Sequence, residues 1–69
     1  MDPIEKDIQN RTEEIREGVD HLFKMNMKIT DWDVPEADNK KAANMIINIM
    51  QEMLNTIKAD AAAGKYDYY

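Results

Sequence analysis

The chain has 69 residues, enough for one domain, and a domain of this size buries only about 60% of the surface that its unfolded chain exposes. It contains no cysteine, which excludes disulfide bonds and thiolate metal sites, and its single histidine cannot build a zinc centre without carboxylates. Self-association is then the remaining usual source of added stability. The net charge is −5, and without clustered lysine and arginine we expect no direct binding of nucleic acid.

The hydropathy of the chain bears on its location. No apolar run approaches the roughly 20 residues needed to cross a bilayer, so no membrane association is predicted. The first residues are polar and acidic and do not resemble a signal peptide. We therefore expect a cytoplasmic location.

A first long helix is predicted over residues 3–28. Asp2 suits the N-cap, Pro3 suits the first helical position, and Glu5 completes a capping box. Apolar residues then recur at helical spacing and form a narrow stripe that consists of Ile4, Ile8, Ile15, Val19 and Leu22.

An acidic turn is predicted over residues 29–34. Pro35 pushes Val34 toward extended geometry, so the first helix cannot continue through this point. Residues 29–39 carry four carboxylates and no basic residue, which concentrates the negative charge between the helices.

A second long helix is predicted over residues 35–63. Asp33, followed three residues later by Glu36, forms a second capping box, and Gly64 suits the position after the helix. The apolar residues of this helix cover an arc of about 160°. They are Ala42, Ala43, Ile46, Ile47, Ile49, Met50, Met53, Leu54, Ile57 and Ala61.

The wide arc of the second helix and the narrow stripe of the first do not match in size. One helical hairpin would leave apolar surface exposed, and such patches usually mark an interface. We therefore predict an all-α domain over residues 1–64, a hairpin of two antiparallel helices that pairs into a homodimeric four-helix bundle. A trimer or larger ring would also cover the surface. The expected self-association residues are Ile46, Ile47, Ile49, Met50, Met53, Leu54 and Ile57.

One acidic run has an enzyme-like spacing. Glu13, Glu14 and Glu17 form an E-E-x-x-E pattern that is similar to that of the all-α nucleotide pyrophosphohydrolases, which are Mg²⁺-dependent four-helix bundles. That family completes its metal site with an E-x-x-D pair on the next helix. Here the nearest candidates are Asp33, Glu36 and Asp38, which have the wrong spacing and lie before or at the start of the second helix. The three glutamates also point more than about 90° away from the apolar stripe. A solvated acidic face is therefore the favoured interpretation, and no catalytic residue, metal or cofactor is predicted.

The single tryptophan, Trp32, lies among the acids Asp31, Asp33 and Glu36. In one interpretation it folds back over the open end of the hairpin, against Phe23 and Ala42 or Ile46. In the other it is an exposed anchor for a partner protein, since tryptophan is enriched at binding hot spots. The second interpretation makes these four residues candidate partner-binding residues.

Two further features are candidates for partner binding. Met45 lies outside the apolar arc of the second helix, and methionine is common on adaptable binding surfaces. The tail over residues 65–69 carries Tyr66, Tyr68 and Tyr69, and it is either frayed or a docking segment.

Together these observations predict a small non-enzymatic protein that binds and modulates another protein, as a regulator, adaptor or inhibitor. By analogy of size and charge alone, inhibitors carried by phages and mobile elements are of this kind. The alternatives are a small-ligand or nucleotide binder, with its pocket where protomers meet, and the Mg²⁺-dependent hydrolase considered above.

Overall fold

The computed structural model describes residues 2–36 and 38–69. Over these residues the chain forms helices α1 (Pro3–Asn10), α2 (Thr12–Asp33) and α3 (Asn39–Ala62), and they contain no strand. The prediction of an all-α chain is therefore confirmed.

The predicted single helix over residues 3–28 is wrong, because the chain breaks at Arg11 into α1 and α2. Asp2 caps α1 as expected, with its carboxylate accepting a hydrogen bond from the Ile4 amide at 2.8 Å. At the break, Arg11 has φ −107° and ψ 9°, and the Thr12 hydroxyl donates to the Ile8 carbonyl at 3.1 Å. Side-chain bonds of this type compete with the backbone ladder and bend helices.

The acidic turn predicted over residues 29–34 is also wrong, because α2 remains helical to Asp33. Thr30 donates its hydroxyl to the Asn26 carbonyl at 3.2 Å within the helix. The chain leaves the helix only at Val34, whose φ of −136° and ψ of 84° are the extended geometry expected before Pro35.

The start of the last helix lies later than the predicted residue 35, because Asp38 is the N-cap and Asp33 is not. The Asp38 carboxylate accepts hydrogen bonds from the amides of Lys40 at 3.0 Å and Lys41 at 3.2 Å. These bonds satisfy two of the amides that a helix start leaves unpaired. Pro35 lies in the turn before this start and not in the first turn of α3.

The end of α3 is set by a glycine. Gly64 has a φ of 85°, the left-handed conformation typical of the residue after a helix C-cap. An added Cβ at this position would lie 2.9 Å from Asp67 Oδ2. The chain then continues in turns through Tyr68, with the Lys65 amide donating to the Asp60 carbonyl at 3.0 Å.

Helices α2 and α3 lie side by side, with the late part of α2 beside the early part of α3. Thr30, late in α2, shares a groove with Ala42, early in α3. Val19, earlier in α2, shares a groove with Leu54, late in α3. Helix α1 contacts α2 but not α3 among the described residues.

The resulting shape is a thin, elongated plate. Its principal extents are 49 × 26 × 17 Å. The two long helices α2 and α3 contact each other side by side and form a single layer. The radius of gyration is 16.0 Å, whereas a compact domain of this length has about 11 Å.

A single layer leaves the chain without an interior, and none of the described residues is buried. The exposed surface is 6306 Å². A compact folded protein of this mass exposes about 4,500 Å², so the excess is about 1,800 Å².

The position of the N-cap gives a first prediction. Asp38→Ala should lower the free energy of unfolding by about 1 kcal/mol, because two amides at the start of α3 lose their acceptor. Asp33→Ala is the matched control and should leave stability unchanged or raise it by a few tenths of a kcal/mol, because it removes a negative charge from a helix C-terminus. Urea unfolding followed by circular dichroism, at one protein concentration, checks both variants. A larger loss of unfolding free energy for Asp33→Ala than for Asp38→Ala would instead identify Asp33 as the N-cap.

Candidate interaction surfaces

Apolar grooves lie along the seam between α2 and α3. A groove of about 400 Å³ is lined by Val19, Leu22 and Asn26 from α2 and by residues between Ile46 and Ile57 from α3. A second groove of about 410 Å³, between Thr30 and Val34 on one side and Ala42 and Met45 on the other, also includes Ile46 and Ile49. The two grooves share Ile46 and Ile49, and together they are here called the trough.

The expected self-association residues of α3 are mostly open to solvent in the single chain. Ile46 and Met50 are half-buried. The other five are exposed by 38–65%, and they are Ile47, Ile49, Met53, Leu54 and Ile57. The structure therefore leaves this face available for covering.

The stripe of the first two helices is uncovered as well. Ile4 is 71% exposed, and Ile8, Ile15, Val19 and Leu22 are exposed by 44–48%. In α1 this exposure follows from the lack of contact with α3. Both sides of the seam therefore present apolar side chains to solvent.

Asn26 is a polar residue that the sequence analysis missed. It is half-buried, lies seven residues after Val19 on the apolar stripe of α2, and is the only polar residue lining its groove. Its Nδ2 donates to the Leu22 carbonyl at 2.9 Å. The seven-residue spacing was the signal that could have identified it, because residues at that spacing share a helix face.

A third groove, of about 530 Å³, lies on the other side of the seam. Its floor is apolar and includes Phe23 and Ile47, while Arg16, Asp20 and Gln51 supply polar groups. Val19, Met50 and Leu54 line both this groove and the trough. These three residues therefore mark the ridge between the two depressions.

The acidic end of the molecule carries the exposed tryptophan. Trp32 is 74% exposed, so the interpretation in which it folds over the open end of the helices is wrong. Asp31, Asp33 and Glu36 are exposed beside it. Asp31 and Asp33 lie in the last turn of α2, which contains no basic residue.

The position of Asp31 and Asp33 in the last turn of α2 is unfavourable for the helix. Carboxylates near a helix C-terminus interact unfavourably with the helix dipole. The two aspartates therefore do not stabilise α2. Local rules are broken most often at functional sites, which makes this end a candidate site for binding.

The aromatic tail is partly ordered against itself. The rings of Tyr66 and Tyr69 pack edge to face, with centroids 5.9 Å apart and an interplanar angle of 85°. Tyr66 is half-buried, whereas Tyr68 and Tyr69 are fully exposed. Lys65 Nζ lies 3.3 Å from Asp60 Oδ2, which links the tail to α3.

The E-E-x-x-E run lies on the solvent side of α2. Glu13, Glu14 and Glu17 are exposed, and Glu13 Oε1 accepts a hydrogen bond from Arg16 Nη1 at 2.8 Å. Within residues 2–36 and 38–69, no group of three His, Asp or Glu side chains is placed to hold a metal ion.

One ionisable side chain has a clearly shifted pKa. The hydrogen bond and the charge of Asp20, 2.8 Å away, raise the pKa of the exposed Lys24 ammonium above its usual 10.5. The stability that this pair contributes is fully present below the pKa of Lys24 in the unfolded chain. It is lost as the pH rises through the higher pKa of the folded chain. The pair is therefore unchanged across the physiological pH range.

No protein-family model, curated protein or solved structure matches the chain. None of the helices in the described parts of the chain is long and apolar enough to cross a membrane.

The exposure of Trp32 gives a second prediction. Trp32→Ala should change the free energy of unfolding by no more than about 0.5 kcal/mol, since the side chain is mostly in solvent. In the wild-type protein its fluorescence should be quenched by acrylamide almost as fully as free tryptophan. Resistance to quenching, together with a loss of stability in the variant, would instead place the indole in a packed environment.

Proposed function

We propose that this chain is a non-enzymatic interaction protein that acts as a homodimer. Its two long helices form an antiparallel hairpin, and two hairpins pair through their apolar faces into a four-helix bundle. The dimer then presents the acidic end with Trp32 to another protein, which it regulates. The observation that carries this proposal is the uncovered apolar face of α2 and α3.

The amount of uncovered surface supports pairing with a second copy. The excess of about 1,800 Å² per chain corresponds to about 3,600 Å² in a dimer, within the range of 2,000–5,000 Å² that obligate homodimers bury. A two-layer arrangement would also give the chain the interior that a single layer lacks.

The distribution of charge supports the same pairing. Two chains of net charge −5 repel one another, but the part of the trough between Val19 and Ile57 is lined by no charged side chain. The carboxylates Asp31, Asp33 and Glu36 lie at one end of the molecule. These carboxylates therefore lie away from most of the proposed contact between the two copies.

The acidic end supports binding to a further protein. An exposed tryptophan provides a large apolar contact area, and the carboxylates around it would select a basic surface. The tail, with Tyr68 and Tyr69 fully exposed, provides additional contacts in this proposal, whereas Met45 lines the trough and is covered by the second copy.

A second candidate function is the binding of a small ligand. The groove between Phe23 and Ile47 has a volume of about 530 Å³, within the range of 300–1,000 Å³ that is typical of ligand pockets, and Arg16 and Asp20 provide polar groups beside its apolar floor. A thermal-shift screen against nucleotides and metabolites tests this candidate. A compound that raises the melting temperature of the wild type but not of Arg16→Ala would support it.

The pairing proposal gives a third prediction. Met53 is 56% exposed in the single chain, so an isolated chain would tolerate Met53→Asp with little loss. In a dimer the same change places an unpaired charge in the interface, and we expect dissociation and loss of helix. Asn55→Asp, an exposed change on the same helix, is the matched control and should leave the dimer intact.

Sedimentation velocity and circular dichroism measure these effects. The wild type and Asn55→Asp should sediment at twice the chain mass of 8.1 kDa. A wild type that is monomeric and helical at all concentrations would overturn the pairing proposal. Equal behaviour of Met53→Asp and Asn55→Asp would move the interface away from this face.

The partner-binding proposal gives a fourth prediction. When immobilised wild type captures a specific protein from host lysate, Trp32→Ala should reduce the captured amount at least tenfold, because truncating a hot-spot residue costs more than about 1.4 kcal/mol. Glu14→Ala, also exposed on α2, is the control and should capture as well as the wild type. Capture should also fall as salt is added. Equal capture by all three chains would show that the acidic end does not bind the captured protein.

A further inference from the structure

Asn26 lies at the middle of the trough. Along α2 and its C-cap the trough extends from Val19 to Val34, and Asn26 is seven residues from the first and eight from the second. Along α3 and its N-cap it extends from Asp38 to Ile57, and Ile46 lies near its midpoint and lines both component grooves. Asn26 and Ile46 therefore lie at about the same level of the molecule.

The carboxamide of Asn26 is only partly satisfied in the single chain. Its Nδ2 donates to the Leu22 carbonyl, and within residues 2–36 and 38–69 its Oδ1 accepts no hydrogen bond. A second copy covering the trough would remove water from this oxygen. A buried polar atom without a partner is costly, so an occupant of the trough has to supply a donor at this point.

A second copy supplies that donor when the symmetry axis passes at the level of Asn26. The axis of a two-fold interface runs through the centre of the shared patch, and the residues at that centre face their own copies. Two asparagine side chains that face each other can each donate an N–H to the oxygen of the other. A single polar residue of this kind in an apolar interface fixes the alignment of helices.

Charge selects the direction of the second copy. If the axis ran along the helices, the two acidic ends would lie side by side, with Asp31 and Asp33 of both copies close together. If the axis runs across the helices, the acidic ends lie at opposite ends of the dimer. The second arrangement places α2 against α2 of the other copy, running in the opposite direction, and brings the two Asn26 residues together.

We propose that Asn26 aligns the homodimer, with a two-fold axis that crosses the helices at Asn26 and a hydrogen-bonded pair formed by the two carboxamides. This inference rests on the homodimer proposed above and adds its direction, its register and the residue that sets them.

Disulfide cross-linking tests the proposal directly, because the chain contains no cysteine. Helices pack with axes about 8–10 Å apart and Cα atoms about 2.3 Å from each axis, so facing Cα atoms are about 3.4–5.4 Å apart, a range that overlaps the Cα separations of disulfides. Under mild oxidation Asn26→Cys should form at least tenfold more covalent dimer than Lys28→Cys, an exposed control two residues along α2.

A second measurement leaves Asn26 in place. Val19 and Val34 lie about 10–12 Å from the level of Asn26, on opposite sides of it, at 1.5 Å per residue. An equal mixture of Val19→Cys and Val34→Cys chains should cross-link to each other, and each chain alone should not. Non-reducing gels report the product, and circular dichroism checks that each variant retains its helices.

The outcomes separate this inference from the proposal on which it rests. A monomeric wild type in sedimentation overturns both. A dimer in which Asn26→Cys chains cross-link to Ile46→Cys chains but not to themselves overturns the inference alone, since it places α2 against α3 of the other copy. A dimer in which neither Asn26→Cys nor the valine mixture cross-links also overturns it.

Discussion

The lack of an interior is the constraint on which the rest of this structure depends. Two helices side by side can bury only the narrow strip along their seam, and the remaining apolar side chains, from Ile15 to Ile57, stay in contact with water. Hydrophobic burial is the main term that offsets the entropy of ordering a chain. A single copy, in which none of the described residues is buried, therefore lacks most of that term.

The surface of the chain contains two regions of different chemistry. The seam is apolar and carries few charges, which suits pairing between identical chains. The end around Trp32 carries acids that neither cap a helix nor form an ion pair within the described residues, and Asp31 and Asp33 oppose the dipole of α2. A region that costs stability and exposes a tryptophan is better explained by binding than by folding.

Helical periodicity predicted the class of fold and the apolar faces, because the spacing of Ile15, Val19 and Leu22 is a property of the sequence alone. The helix boundaries were less predictable. Asp33 and Asp38 can each serve as an N-cap, and the choice depends on where α2 ends. The break at Arg11 was not predicted, because the Thr12 hydroxyl competes for the Ile8 carbonyl and the spacing of apolar residues does not reveal that competition.

The candidate site could be predicted only in part for a related reason. Composition identified the acids around Trp32, but whether the indole is covered depends on the length of α2. Because α2 continues through Trp32, the side chain is carried on the last helical turn into solvent and cannot fold back from a flexible loop. Extension of α2 by one turn therefore changes Trp32 from a potential core residue into an exposed one.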